Sequence, residues 1–196
     1  MTTKEKLFEA ALDLFSEKGF AATSVDEIAE SIGIKGPNLY KYYKGKDALF
    51  EDLATKNEEA YLENMQFIND AAAKIDSAEA LKAFSLRQIR TTMTVDKIRK
   101  MRKLCNNEQF RSIIVRNKLT ERELTQPRDQ YALIFSNMMK SGLLPECDPA
   151  LLALEYASPV TLFIRKCDRE PENLEPIMKE VEEYIDFFIS THFIKK

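Results

Sequence analysis

The sequence predicts an all-α protein of about nine helices, three short ones followed by a larger helical part, and three observations carry that prediction. Apolar residues recur at helical spacing almost everywhere along the chain. Four of the five glycines lie in the first 45 residues, at Gly19, Gly33, Gly36 and Gly45, each where one short helix would stop and another begin. No convincing strand pattern, internal repeat or low-complexity tract interrupts the helical reading.

In order along the chain, Leu7, Phe8, Ala11, Leu14 and Phe15 line one face of a first helix that Gly19 ends. Val25, Ile28, Ala29 and Ile32 repeat the spacing over a shorter second helix, opened by a capping box of Ser24 and Glu27. Pro37 presets the backbone for the start of a third. A long helix is predicted from about Lys46 to about Ala73, through Leu49, Phe50, Leu53, Tyr61, Met65 and Ile68. Further helices are predicted near 77–92, 95–106, 108–120 and 121–141, with Pro127 breaking or bending the last. Asp148-Pro149 reads as an N-cap followed by proline, opening a helix over 149–167 that is bent at Pro159. The final helix spans about 173–193 and carries Ile177, Val181, Tyr184, Ile185, Phe188 and Ile189 as its stripe.

A chain of 196 residues fits one large domain or two small ones, and its 44% hydrophobic content supports a sizeable core. No uncharged apolar run approaches the roughly 18 residues of a membrane span. The N-terminus lacks the apolar stretch of a secretory signal, so a cytoplasmic location is expected. Cys105, Cys147 and Cys167 are widely spaced and form no zinc pattern, and His192 is the only histidine. No metal, cofactor or catalytic triad is therefore expected.

The net charge of −3 does not advertise a nucleic-acid partner, but its distribution does. Residues 1–30 hold three lysines against seven acids, whereas residues 31–49 hold Lys35, Lys41, Lys44 and Lys46 against Asp47 alone. A basic island on an acidic chain is what a local phosphate contact needs. In the same stretch Ile28-Ala29 places a small residue at a helix crossing, Gly33 permits a sharp turn, and Pro37 opens the next helix. Leu39 and Tyr43, four apart, would face the N-terminal core and leave Asn38, Lys41 and Tyr42 pointing elsewhere. That is the layout of a helix-turn-helix, whose second helix enters the major groove.

The segment resembles the TetR family of bacterial regulators. Thr23-Ser24-Val25, Ile28-Ala29, Gly33-Ile34-Lys35, Leu39-Tyr40, Tyr42-Tyr43, Lys46 and Leu49 carry the likeness, over about a quarter of the chain. Lys35 stands where the family most often has Ser, and Tyr43 where Phe is common; both departures bear on which operator is read. The resemblance implies a DNA-binding domain over residues 1–45 and a ligand-binding and dimerisation domain over 46–196. It also implies that Thr23, the N-terminus of the second helix, Lys46 and Tyr40 or Tyr42 touch phosphates, which sets register without reading sequence. Lys41 and Asn38 would reach base edges, Gly36 and Pro37 would let the backbone approach a thymine methyl, and Lys35 belongs to the same surface.

A single recognition helix would bind specifically only as a dimer on two half-sites about one DNA turn apart. The helices over 149–167 and 173–193 are the expected homodimer interface, the alternative being that their stripes only fill each protomer's core. The resemblance further implies a pocket for an unidentified small-molecule effector among the middle helices. Candidate lining residues are Met65, Phe84, Arg87, Met93, Met101, Cys105, Tyr131, Phe135 and Tyr156, with plain core packing as the competing role. The expected activity is a ligand-responsive repressor that the effector releases from a palindromic operator. A helical enzyme or carrier with a vestigial helix-turn-helix, or a protein-interaction module, are the alternatives, although the chain offers no phosphate loop or nucleophile motif.

Overall fold

The computed structural model describes residues 1–110 and 112–194, and of Asn64 and Phe67 the backbone alone. The described residues are helices and connecting turns, with no strand among them. The chain forms two compact units, one of Met1–Met65 with Lys100–Leu119 and one of Gln66–Arg99 with Thr120–Lys196.

The first unit begins with α1 (Thr3–Lys18), opened by a capping box in which Thr2 and Glu5 each accept the other's backbone N–H, at 3.2 and 2.7 Å. Next come α2 (Val25–Ser31) and the single turn of α3 (Gly36–Leu39). The long α4 (Lys46–Ala72) starts in this unit, and α6 (Asp96–Glu108) and α7 (Ile113–Thr120) contribute to it as well. One core joins Leu7, Ala11 and Phe15 of α1, Ile28 and Ala29 of α2, Leu39 of α3, Tyr43 of the turn after it, Leu49 and Leu53 of α4, and Met101 and Leu104 of α6. That shared core is why the compact unit extends beyond the boundary expected at residue 45: the opening turns of α4 bury their leucines in it.

The second unit is built from α5 (Ala78–Thr94), α8 (Gln126–Lys140), α9 (Pro149–Arg169) and α10 (Leu174–His192), with the end of α4 and the first turn of α6. Here α8 packs on α9, and α10 packs on both α5 and α9. An aromatic cluster fills its centre: the Tyr156 ring lies 4.6 Å from both Tyr131 and Phe188 and 5.4 Å from Phe135, centroid to centroid. Two phenols must find partners in this apolar setting. Both donate to Ser85 Oγ, Tyr131 at 3.1 Å and Tyr156 at 2.8 Å. Burial pushes the Tyr131 hydroxyl up to about 12 against the opposing pull of Ser85, so it stays a donor at any physiological pH.

The two prolines expected to disturb helices are accommodated differently. Ahead of Pro127 the chain makes a π-helical turn over Glu121–Thr125, in which the Gln126 N–H reaches back to Glu121 O, and α8 starts with Pro127 in its first turn. Pro159 lies inside α9, which runs unbroken across it. Its missing N–H leaves the Glu155 carbonyl without a helical donor. The Tyr184 hydroxyl on α10 reaches that carbonyl at 2.9 Å and the next, of Tyr156, at 3.0 Å.

The stripe predicted on α10 lies mostly inside the protomer, with Tyr184 and Ile189 half-buried. Ile177, Val181, Ile185 and Phe188 are buried and fill the protomer's own core. The reason is geometric: α10 is covered by α5 and α9 on that side. Its outward apolar residue is Phe187, 66% exposed.

Candidate nucleic-acid interface

The site is built by two short helices and the turn between them. Ser24 and Glu27 cap α2 reciprocally, at 3.1 and 2.9 Å, and Lys18 adds a 2.8 Å ion pair to Glu27. The Lys18 ammonium, followed by the Ser24 backbone N–H and hydroxyl, lowers the Glu27 carboxyl to about 2. An ionised Glu27 in the first turn also suits the helix dipole. α2 ends where Gly33, at φ +78°, turns the chain, with Gly33 N–H on Glu30 O at 2.9 Å and Ile34 N–H on Ala29 O at 3.0 Å. A side chain at Gly33 would be strained by that φ.

Lys35 is the N-cap of α3, with Gly36 and Pro37 as its first two residues. After one turn, the Tyr42 and Tyr43 N–H groups both return to Leu39 O, at 2.9 and 3.0 Å. Leu39 is fully buried, and Tyr43 is buried with its hydroxyl donating to Asp52 at 2.6 Å. Burial works to raise the Asp52 carboxyl, but Tyr43, Lys56 and Lys4 together hold it below the usual range, so it is a charged acceptor at neutral pH. With these two residues anchored inward, Lys35, Pro37, Tyr40, Lys41, Tyr42 and Lys44 are exposed and Asn38 is half-buried. Tyr40 and Tyr42, at 60% and 42% exposure, put two aromatic rings on the surface beside three lysines. A basic, ring-bearing, protruding turn of this size offers phosphate contacts and base-edge donors together.

Three residues expected on this surface are engaged inside it instead. Thr23 is buried, its hydroxyl directed to Gly19 O at 2.9 Å and Leu14 O at 3.3 Å, so it closes the α1–α2 loop and presents no side chain to a phosphate. Lys46 Nζ donates to Phe20 O at 3.0 Å, Ala21 O at 3.3 Å and Thr23 O at 3.0 Å, and sits 4.7 Å above the Phe20 ring. In this arrangement its ammonium ties the loop carbonyls together. Gly36 is buried against α2: a Cβ there would collide with the Asp26 carboxylate. Its lack of a side chain serves the packing of α3 on α2. Glu108 of α6, unremarked in the sequence, is a buried carboxylate that accepts the Phe20 N–H at 3.3 Å and fastens the same loop.

The nine effector candidates do not gather in one place. Phe84, Met93, Tyr131, Phe135 and Tyr156 are buried in the second unit, while Arg87 is exposed. Met101 is buried in the first unit's core, with Cys105 packed against it, and Met65 also belongs to that unit. Helical periodicity puts methionines and cysteines on inward faces but does not say which core they enter.

Fold and site together define a helix-turn-helix protein with a second, larger helical unit. Residues 7–53 match the family of bacterial regulatory proteins, tetR family. The probable HTH-type transcriptional regulator YttP of Bacillus subtilis is 39% identical over 66 residues, covering 34% of this chain and 32% of that protein. The biofilm operon icaADBC HTH-type negative transcriptional regulator IcaR of Staphylococcus aureus is 36% identical over 81 residues, covering 41% and 42%. The chain thus spans about a third to two fifths of the length of these relatives. The structure of SmeT in complex with triclosan superposes with a TM-score of 0.69 at 21% identity, over 100% of this chain and 93% of that one; SmeT is the repressor of the Stenotrophomonas maltophilia multidrug efflux pump SmeDEF. Residues 7–53 thus match the tetR-family regulatory domain, and the fold as a whole is shared with solved regulators of that family.

Proposed function

We propose that this chain is a ligand-responsive transcriptional repressor that grips a palindromic operator as a homodimer and is released by a small molecule. The observation that carries the reading is the division around α3: Leu39 and Tyr43 are buried while Tyr40, Lys41 and Tyr42 are exposed. In this reading Lys35, Pro37, Asn38, Tyr40, Lys41 and Tyr42 meet DNA, with Lys41 and Asn38 at base edges. Residues 1–45 are the DNA-binding domain and 46–196 the sensing and dimerising one. Two named relatives support repression: IcaR is a negative regulator, and SmeT is a repressor seen with a small molecule bound. The protein would act where operator DNA is, in the cytoplasm, and among the described residues no helix is long and apolar enough to cross a membrane.

The dimer is assigned chiefly to α9. Leu151, Leu154 and Leu162 are exposed at 65%, 48% and 69%, and their spacing puts them on one outward face of that helix. Phe187 adds an exposed ring on the adjacent α10. A two-fold axis there would bury all four, pairing the two recognition turns for successive half-sites.

Selection of bound duplexes from a random pool tests the reading. A palindrome with half-sites about one DNA turn apart is expected, with affinity falling steeply between about 50 and 200 mM salt. Recovery of no enriched sequence, or binding indifferent to salt, would overturn it. Leu154→Glu and Leu162→Glu should yield monomers in sedimentation with helicity intact, and should lose the palindrome.

A further inference from the structure

We infer that Asp26, on α2 rather than α3, sets specificity at one operator base pair by accepting the amino group of a cytosine; this rests on the reading that the turn around α3 enters the major groove. Gly36 opens α3 and is buried, although its neighbours Lys35 and Pro37 are exposed. The Asp26 carboxylate lies against it: a Cβ at Gly36 would overlap Asp26 Oδ1 and lie 3.0 Å from Cγ. Asp26 is itself exposed. The polar group that stands over the first residue of α3 is therefore a carboxylate contributed by the neighbouring helix.

The next acid along α2 is compensated and Asp26 is not. Glu27 takes Lys18 at 2.8 Å and the Ser24 N–H at 2.9 Å. Among the described residues the Asp26 side chain makes no hydrogen bond and no ion pair, although Lys35 adjoins Gly36. On a face that meets phosphates such a group is repelled unless a donor answers it. A carboxylate only accepts. In the major groove guanine shows acceptors alone and thymine an acceptor with a methyl group, whereas adenine sets an acceptor beside its amino group. Cytosine shows an amino donor and no acceptor, so it is the base edge that this carboxylate favours. The same chemistry leaves guanine to Lys41 and adenine to Asn38, so the three side chains do not compete for one base.

The test is selection of duplexes from a random pool by the full-length parent, Asp26→Ala and Gly36→Ala, followed by binding titrations. The parental half-site should hold a cytosine that becomes degenerate with Asp26→Ala. Gly36→Ala should relax the same position, because its Cβ displaces the carboxylate. Asp26→Ala should bind the parental operator about tenfold more weakly, yet bind a duplex with that one pair replaced at least as well as the parent does. Its melting temperature should match the parent's, since an exposed side chain without partners is lost. The double variant Asp26→Ala, Gly36→Ala removes the collision; it should melt like the parent and keep the position degenerate, which separates misfolding from lost readout. An unchanged selected sequence, or a loss shared equally by all duplexes, would overturn the assignment and mark Asp26 as structural. A parental palindrome that Asp26→Ala also selects sinks this inference alone, whereas a parent that enriches no sequence sinks the regulator reading and this inference with it.

Discussion

The Tyr184 hydroxyl donates to the Glu155 carbonyl at 2.9 Å, replacing the N–H that Pro159 lacks four residues further along α9. A proline inside a helix is expected to be costly because it strands a carbonyl. Here α10 supplies the missing donor across the packing interface. Tyr184→Phe should therefore destabilise the protein by about 1–2 kcal/mol. In a Pro159→Ala background, where the helix provides its own N–H, the same substitution should cost measurably less. Urea unfolding of the four proteins gives the cycle, and equal costs in both backgrounds would show that Tyr184 acts through ring packing alone.

Ser85 holds two buried phenols with one hydroxyl, at 3.1 Å from Tyr131 and 2.8 Å from Tyr156. Ser85→Ala should cost about 2–5 kcal/mol, since it orphans both. Adding Tyr131→Phe and Tyr156→Phe should restore much of that loss, because an apolar trio leaves nothing unsatisfied. Denaturant midpoints of the single and triple variants decide this, and a triple variant weaker than Ser85→Ala would reject it.

What was legible in the sequence was local. The Ser24–Glu27 box, the turn at Gly33 and the inward pair Leu39 and Tyr43 depend on residues within a few positions of one another, and all are present. What misled was long-range. Lys46 finds its acceptors 23 to 26 residues earlier, and no spacing rule distinguishes a lysine aimed at loop carbonyls from one aimed at phosphate. The motif puts Thr23 at a phosphate and Gly36 at a close backbone approach, and no local spacing shows that the loop and Asp26 pack against them. Ser85 carried no signal, because its partners lie 46 and 71 residues away.

Glu27 makes the stability of α2 depend on pH. Its folded value of about 2 lies below the ordinary glutamate value near 4.3. A depressed carboxyl contributes stability that is complete above its unfolded value and is lost as pH falls through the folded one. Glu27→Gln keeps the capping geometry but removes the charge. The variant should melt below the parent at neutral pH, and the gap should close between about pH 5 and pH 2. Paired thermal melts across that range test it; a gap that widened with acid would have the wrong sign.

Lys41 and Lys46 both carry a positive charge near the recognition turn, and the structure predicts opposite signatures for them. Lys41 is exposed. Lys41→Ala should leave the melting temperature unchanged and weaken operator binding by about 1–3 kcal/mol, with the loss concentrated at one base pair if it reads a base edge. Lys46 is half-buried and bonded to three carbonyls of the loop that closes α1 onto α2. Lys46→Ala should lower stability by about 1–2 kcal/mol and weaken all DNA sites alike, through a loosened loop. The salt dependence separates the two cases: removing a phosphate contact lowers the slope of log affinity against log salt by about one, whereas removing an internal tie leaves it unchanged. A Lys46→Ala protein with full stability and a reduced slope would mean that the ammonium leaves Phe20, Ala21 and Thr23 to reach the duplex.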